Sequence, residues 1–448
     1  MGRKLIIALA LLSFALAGTT FAAVENIKVS GDISATGISR DLGMGDGTGI
    51  NSAGDNHEAF ISQIRLRFDA DLTEGVSATL RLLSQETWGE DNSDDIEVDL
   101  ASVELKEFLY DPLTLIIGKQ NLRYGSGLIV GDADTNQGNA NDTATGLPGI
   151  ATDLSLRKSF DAIRAVLDFA PWTIDLIMAQ IDEGVTNQTN DDEKLWGINA
   201  AYDWSSYNGV TEVYLFRGDQ APNTAFDPTQ NKENVVSATG IRVAFDPTDK
   251  ISLSGEAAYQ FGTRAPAAAG QDDDISAYAI QAGGEYKFLN DKNVRVGINY
   301  SYLSGNKQDQ QDTNTAWVPM WEDQSPAELI NILMNNSNAQ YLTLSGSMMP
   351  REDVTLGLSY THARFAQELG GAEGATWSPT SGPATNNAYQ VEANDSHFGD
   401  ELDAYLVYDY TEDVQLKLTS AFFIPGSVFT EQNDAVAHSV KAGLTVGF

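Results

Sequence analysis

The sequence predicts an all-β chain: a single transmembrane antiparallel β-barrel of about 18 strands, with short periplasmic turns and long extracellular loops. Three observations carry that expectation. Period-two hydrophobic segments recur along the 448 residues, their connections alternate between tight and long, and charged residues keep to one face of the segments. In Val76–Leu82, Val76, Ala78, Leu80 and Leu82 alternate with Ser77, Thr79 and Arg81. In Val294–Tyr302, Val294, Val296, Ile298, Tyr300 and Tyr302 alternate with Arg295, Gly297, Asn299 and Ser301. Side chains alternate faces along a strand, so each segment has a greasy wall and a polar one. Arg, Lys, Asp and Glu recur in the polar set, too charged for a dry core. The apolar band is therefore expected to face lipid, around a wet interior.

The two ends of the chain agree with this. Gly2, Arg3 and Lys4 precede an apolar run from Leu5 to Ala17 and small residues through Ala23, which reads as a secretory signal peptide over residues 1–22. Cleavage is expected after Ala22 or Ala23, leaving residues 23–448 as the barrel. At the other end Val440, Ala442, Leu444, Val446 and Phe448 share one face of a strand, with Ser439, Lys441, Gly443, Thr445 and Gly447 on the other. That strand is expected to close the barrel against the segment from Val24 to Ser39.

Eight tight turns are expected: 73–75, 110–112, 170–171, 205–208, 246–249, 290–292, 350–352 and 410–412. All but 410–412 carry Pro, Gly, Asn or Asp, where a turn needs a preset or permissive backbone. Nine longer polar connections lie between them, which gives an even strand count with both termini on the tight-turn side. Aromatics collect beside the turns, at Tyr110, Phe169, Trp172, Trp204, Tyr207, Phe245, Phe288, Tyr408 and Tyr410, as a periplasmic girdle would require. Eighteen tilted strands imply a cylinder roughly 35 Å across.

Composition excludes several function classes. A net charge of -36 argues against nucleic acid as a partner, and no cysteine is available for a disulfide framework. With four His and no Gly-x-Ser-x-Gly or phosphate-cradling loop, neither an enzyme nor a cofactor is expected. His362 and His397 fall near the extracellular ends with no serine partner evident.

Counting from the tight turns places Arg65, Arg67, Arg81, Lys106, Arg164, Arg242, Lys287, Arg295 and Lys417 in the lumen. Asp69, Asp71, Glu104, Asp168, Asp175, Asp203, Glu256, Glu285, Glu401 and Asp403 share that wall. Two readings stand: cross-strand ion pairs that brace the wall, or a basic ladder that conducts an anionic solute. A phase slip near Ala101–Ser102 suggests a β-bulge. In the connection 305–336, Ser325, Pro326 and Glu328 read as the cap, first position and capping box of a short helix. That helix either constricts the mouth or lies over it as a lid. Asp132, Asp134 and Asn136 begin like a calcium loop, but Gly138 falls one place late and Thr143 stands where the closing Glu belongs.

The run Val103-Glu-Leu-Lys106, then Pro112-Leu-Thr-Leu-Ile-Ile-Gly118-Lys-Gln120 and Leu122-Arg-Tyr124-Gly125, resembles the alginate-export family of outer-membrane porins. So does Arg157-Lys-Ser-Phe-Asp161-Ala-Ile-Arg164. Lys119 stands for the usual Arg and Ala162 for the usual Gly; Lys keeps the charge but loses the bidentate fork. The resemblance implies an eighteen-stranded barrel with an arginine-rich constriction that passes an acidic polysaccharide. It also implies that Lys119, Arg157 and Arg164 join the anion-facing wall. Implied partners are outer-membrane lipid and lipopolysaccharide, the barrel-assembly machinery through Phe448, and an anionic polysaccharide or small anions. A general diffusion porin and a loop-plugged structural or receptor barrel stay open beside that reading.

Overall fold

A computed structural model describes residues 26–42, 56–89, 96–133, 154–183, 192–220, 234–264, 273–306, 313–369, 375–377, 389–392, 394–431 and 434–448. The expected signal peptide, residues 1–22, lies outside the described residues. In chain order the strands are β1 (Asn26–Asp41), β2 (Asn56–Thr73), β3 (Val76–Thr87), β4 (Ile96–Leu105), β5 (Leu113–Asn121), β6 (Ser159–Phe169) and β7 (Trp172–Glu183). Then come β8 (Asp192–Trp204), β9 (Gly209–Gln220), β10 (Asn234–Thr248), β11 (Ile251–Arg264), β12 (Asp273–Lys287), β13 (Arg295–Leu303) and β14 (Thr313–Asn314). The last are β15 (Ala339–Arg351), β16 (Val354–Phe365), β17 (Ala375–Trp377), β18 (Tyr389–Val391), β19 (His397–Asp409), β20 (Val414–Pro425) and β21 (Ala437–Gly447).

Eighteen of these strands pair antiparallel with their neighbours in chain order, and β21 returns to β1 to close the sheet. The other three are short: β14 runs parallel to the start of β12, and β17 pairs with β18. Every tight connection falls at the expected joint. Closure leaves no unpaired edge, which is what a sheet in hydrocarbon needs.

The seam shows how the sequence seals it. The β1–β21 register runs from Asp32 opposite Gly447 to Asp41 opposite His438. Beyond it Phe448 exchanges two backbone hydrogen bonds with Gly31, each 2.9 Å, so pairing reaches the last residue. Gly31 is required there: a Cβ would come within 2.8 Å of the Phe448 ring and 2.4 Å of the Arg65 carbonyl. The ring covers the glycine on the outer face.

Large apolar side chains on the alternating outer positions are solvent-exposed in the isolated chain, among them Ile27, Val29, Ile33, Ile64, Leu215, Ile298, Leu358 and Leu402. They form the lipid band. At the tight-turn end Trp172 packs on Tyr202, Trp204 on Phe245 and Tyr408 near Tyr410. At the other end Phe60 stacks on Trp88 and Tyr278 on Tyr302. Amphipathic rings thus border the apolar band on both sides.

Two expectations need correction. The register slip of β4 lies opposite Arg81–Leu82, so the bulge is at Asp99 rather than Ala101–Ser102. The extra residue turns the Asp99 carboxylate inward, where it is fully buried against Arg81. The interior is also not uniformly wet. Toward the long-loop end the inward face becomes apolar at Tyr214, Phe216, Ala258, Ala277, Phe365 and Phe423, and these residues are buried by chain folded inside the barrel.

Candidate functional site

Two connecting segments, 122–133 and 313–338, turn into the lumen and bind one another. Trp321 N–H donates to the Ile129 carbonyl at 3.0 Å, Gly131 N–H to the Trp321 carbonyl at 2.7 Å, and Asp323 N–H to the Gly127 carbonyl at 2.8 Å. Leu128, Ile129, Val130, Trp317, Trp321, Leu329, Ile330 and Leu333 are buried there with the apolar part of the wall. The sequence left open whether 305–336 constricts or covers the mouth; the described part of it constricts.

Wall carboxylates hold these segments by their backbone. Glu401 accepts from Leu329 N–H and Ile330 N–H, both at 2.6 Å, and Glu256 accepts from Ser126 N–H at 2.7 Å. Glu212 accepts from Gly125 N–H at 3.2 Å. Gln260 grips Val318 at both ends, donating to its carbonyl at 2.7 Å and accepting from its N–H at 2.8 Å. The helix differs from expectation for this reason. Helix α1 is one turn, Ile330–Leu333, with Leu329 as N-cap and no side-chain cap of its own. Ser325 and Glu328 do not cap it, because Glu401 on β19 supplies the acceptor and Glu328 instead pairs with Lys441 on β21.

The expected lumen cations occupy the inner wall with one exception. Arg65 pairs with Asp32 at 2.9 Å, Arg67 with Asp69 at 2.7 Å and Arg81 with Asp99 at 2.5 Å. Arg164 pairs with Asp175 at 2.8 Å, Arg242 with Glu212 at 2.8 Å and Arg295 with Glu285 at 3.7 Å. Lys287 also approaches Glu285, at 3.9 Å. Lys106 lies near Glu104 at 3.5 Å, at the tight-turn end. Arg157 sits with the segment that lines β2 and β3 and meets Glu97 at 3.0 Å. Lys417, inward by alternation with exposed Leu416 and Leu418, has no carboxylate partner among the described residues.

Lys119 is the correction. It shares the phase of exposed Ile117, and its cross-strand partner Asp161, 2.9 Å away, shares that of exposed Ile163. Both therefore lie on the outer wall, so Lys119 does not join the anion-facing surface. Its own strand phase carried that signal; the family motif alone did not.

Local pairing is not the whole balance. On the five consecutive strands β20, β21, β1, β2 and β3, alternation turns seven Lys or Arg inward against three carboxylates, Asp32, Asp69 and Asp71. The cations are Lys28, Arg40, Arg65, Arg67, Arg81, Lys417 and Lys441. Lys28, Arg40 and Lys441 were missed as lumen candidates, though the alternation that turns Phe448 outward turns Lys441 inward. The facing wall carries Asp175, Glu212, Glu256, Glu285, Glu401 and Asp403. A solute between them meets a basic arc on one side and an acidic wall on the other.

Inside the constriction, Glu322 is buried with neither carboxylate oxygen hydrogen-bonded. Burial, with the Asp132 carboxylate adding to it, pushes its carboxyl up to about 8. Burial likewise raises the Tyr124 phenol, against the opposing pull of Arg164. Arg123, another residue the sequence reading passed over, bonds Asp323, as does Lys158 at 2.7 Å. A cavity of about 400 Å³ opens beside these groups, lined by Ser126, Arg242, Glu256, Gln281, Glu322 and Tyr341. Of the calcium-loop candidates, Asp134 and Asn136 lie outside the described residues. Asp132 is buried with the Lys158 ammonium 3.8 Å from its carboxylate.

A protein-family profile described as alginate export matches residues 53–442. No curated protein matches the sequence significantly. Among solved structures, OccK11 (OpdR) of Pseudomonas aeruginosa superposes with a TM-score of 0.57 at 11% identity, covering 96% of this chain and 98% of that one. OccK2 (OpdF) of the same organism, in complex with glucuronate, gives 0.53 at 11% identity, covering 95% and 99%. A BenF-like porin from Pseudomonas fluorescens Pf-5 gives 0.53 at 11%, covering 95% and 100%. At such identities the likeness is one of fold.

Proposed function

Because the chain belongs to the alginate-export family and forms an outer-membrane β-barrel channel, we propose that it conducts acidic saccharides, with uronate-type polymers as the substrate class. The observation that carries this reading is the basic arc over β20, β21 and β1–β3, where inward cations outnumber inward carboxylates. A polyuronate presents one carboxylate per sugar. A row of Arg and Lys spaced along adjacent strands can exchange such charges from site to site without holding any one tightly. The paired cations still contribute: Arg65 and Arg67 remain partly exposed beside their carboxylates, and a second anion can share their guanidinium donors. The OccK2 barrel binds glucuronate, the monomer of the same chemical class.

The inward segments narrow the path beside this arc, which favours a selective conduit over a wide diffusion pore. The acidic wall anchors those segments. Catalysis has no part in this reading, and Phe448 is offered as the contact for the assembly machinery because its ring is exposed at the seam. Single-channel recording tests the substrate class. Oligouronates added to one side should produce transient current blocks that neutral oligosaccharides of equal length do not. Equal blocking by both would remove the acidic-saccharide reading.

A further inference from the structure

The outer wall carries a second cluster of chemistry, away from the lumen. β16 presents Leu356, Leu358 and Tyr360 outward, and His362 follows in the same phase, while Thr361, Ala363 and Phe365 are buried inward. Asp400 lies directly across from His362 on β19 and shares the outward phase of exposed Leu402. By plain alternation His397 would belong with Glu401 and Asp403 inside. A register shift between Ala363 and Arg364 changes this. Gly399, at φ +156°, lets the strand bulge, and a Cβ there would meet the Phe423 ring at 2.5 Å. Phe398 then turns into the interior cluster and His397 turns out beside His362.

The result brings together two of the four histidines of the chain. His362 Nδ1 is 2.8 Å from Asp400 Oδ1, and His397 Nε2 is 3.1 Å from Asp400 Oδ2. The imidazoles stack with centroids 4.9 Å apart, and the Tyr360 hydroxyl donates to Asp400 Oδ1 at 2.5 Å. One nitrogen from each ring and a carboxylate oxygen all lie within 4.8 Å of one another, and each side chain is about a third exposed or less. Ligands at about 2.1 Å from a tetrahedral ion stand about 3.4 Å apart, so the imidazole–carboxylate pairs would open by about 0.3–0.6 Å while the widest pair would close by up to about 1.4 Å, within the reach of side-chain rotation.

We propose that His362, His397 and Asp400 form a binding site for a divalent transition-metal ion of the zinc class, on the outer wall at the extracellular end of the barrel. Two imidazoles and one carboxylate select such an ion over calcium or magnesium, which prefer all-oxygen shells. Binding replaces the hydrogen bond each imidazole nitrogen makes to Asp400, the ring N–H then sitting on the other nitrogen, and Tyr360 keeps the carboxylate oriented as an outer-shell partner.

Equilibrium dialysis of the detergent-solubilised barrel against zinc chloride, with metal analysis, tests the site. One zinc per chain is expected, with calcium failing to compete. His362→Gln and His397→Gln should each weaken binding by more than about tenfold and Tyr360→Phe by about tenfold, while His438→Gln leaves it unchanged. Circular dichroism of each variant shows that the barrel has formed. No zinc on the wild-type protein, or equal binding by the His362 and His438 variants, would overturn the proposal and leave a hydrogen-bonded cluster only.

Discussion

The arc formed by β20, β21 and β1–β3 and the wall that faces it use the same residue types for different ends. On the facing wall, carboxylates accept backbone N–H groups: Glu401 from Leu329 and Ile330, Glu256 from Ser126, Glu212 from Gly125. Their acceptor oxygens are committed to holding the inward segments. On the arc, Arg65 and Arg67 bond carboxylates of β1 and β2, Arg81 reaches Asp99 on β4 and Lys441 reaches Glu328 of the inward segment, and the inward cations of the five strands still outnumber their inward carboxylates. A group used to fasten chain is no longer available to a solute, so the facing wall mainly anchors, while the partly exposed Arg65 and Arg67 of the arc stay open to a solute.

Breaking the anchoring wall should have the largest effect. Glu401→Ala removes the acceptor of two buried N–H groups and leaves each unsatisfied, at a cost of about 1–3 kcal/mol apiece. The segment around α1 should detach, and single-channel conductance should rise severalfold with added current noise. Next comes the arc. Replacing Arg65, Arg67 and Arg81 together by Gln should reduce anion preference and shorten oligouronate blocks, with conductance changing far less than in Glu401→Ala.

A smaller effect on conduction concerns Glu322. Its carboxyl is raised to about 8 in the folded constriction, above the ordinary carboxylate value. The folded state therefore binds more protons than the opened one, so stability of the constriction falls as pH rises from the ordinary value through about 8. Hydrogen exchange of peptides from 313–338 reads this. At pH 9, Glu322→Gln should exchange much more slowly than wild type, by up to about a thousandfold for a carboxyl raised from 4.5 to about 8; at pH 4 the two should agree. Least of all, Lys119→Gln should leave ion selectivity unchanged, because its pair with Asp161 lies on the outer wall. A selectivity shift as large as that of the arc variant would place it back in the lumen.

How much of this the sequence discloses follows the range of the interactions. Strand phase is set by neighbours two residues apart, so the eighteen strands, the sorted turns and the outward Phe448 are legible from local pattern. A bulge changes phase by one residue through contacts across the sheet. That is why Asp99 was missed, why His397 was noted but not placed beside His362 and Asp400, and why the bulge was set two residues late. The capping box at Ser325 and Glu328 was chemically sound but lost to Glu401, a partner 72 residues from Leu329. Nothing local to 325–333 announces that acceptor. The ladder of cations was legible as a set, yet its division into an arc and a facing wall requires the closure of β21 on β1, which joins the two ends of the chain.

The zero-current potential of the channel under a salt gradient tests the division of labour most directly. Wild-type protein in a planar bilayer, with potassium chloride tenfold more concentrated on one side, should give a potential of the sign set by chloride permeation, moving toward zero in the Arg65, Arg67 and Arg81 variant. A potential of the potassium sign in the wild type, unmoved by that variant, would contradict the assignment of the basic arc to the solute.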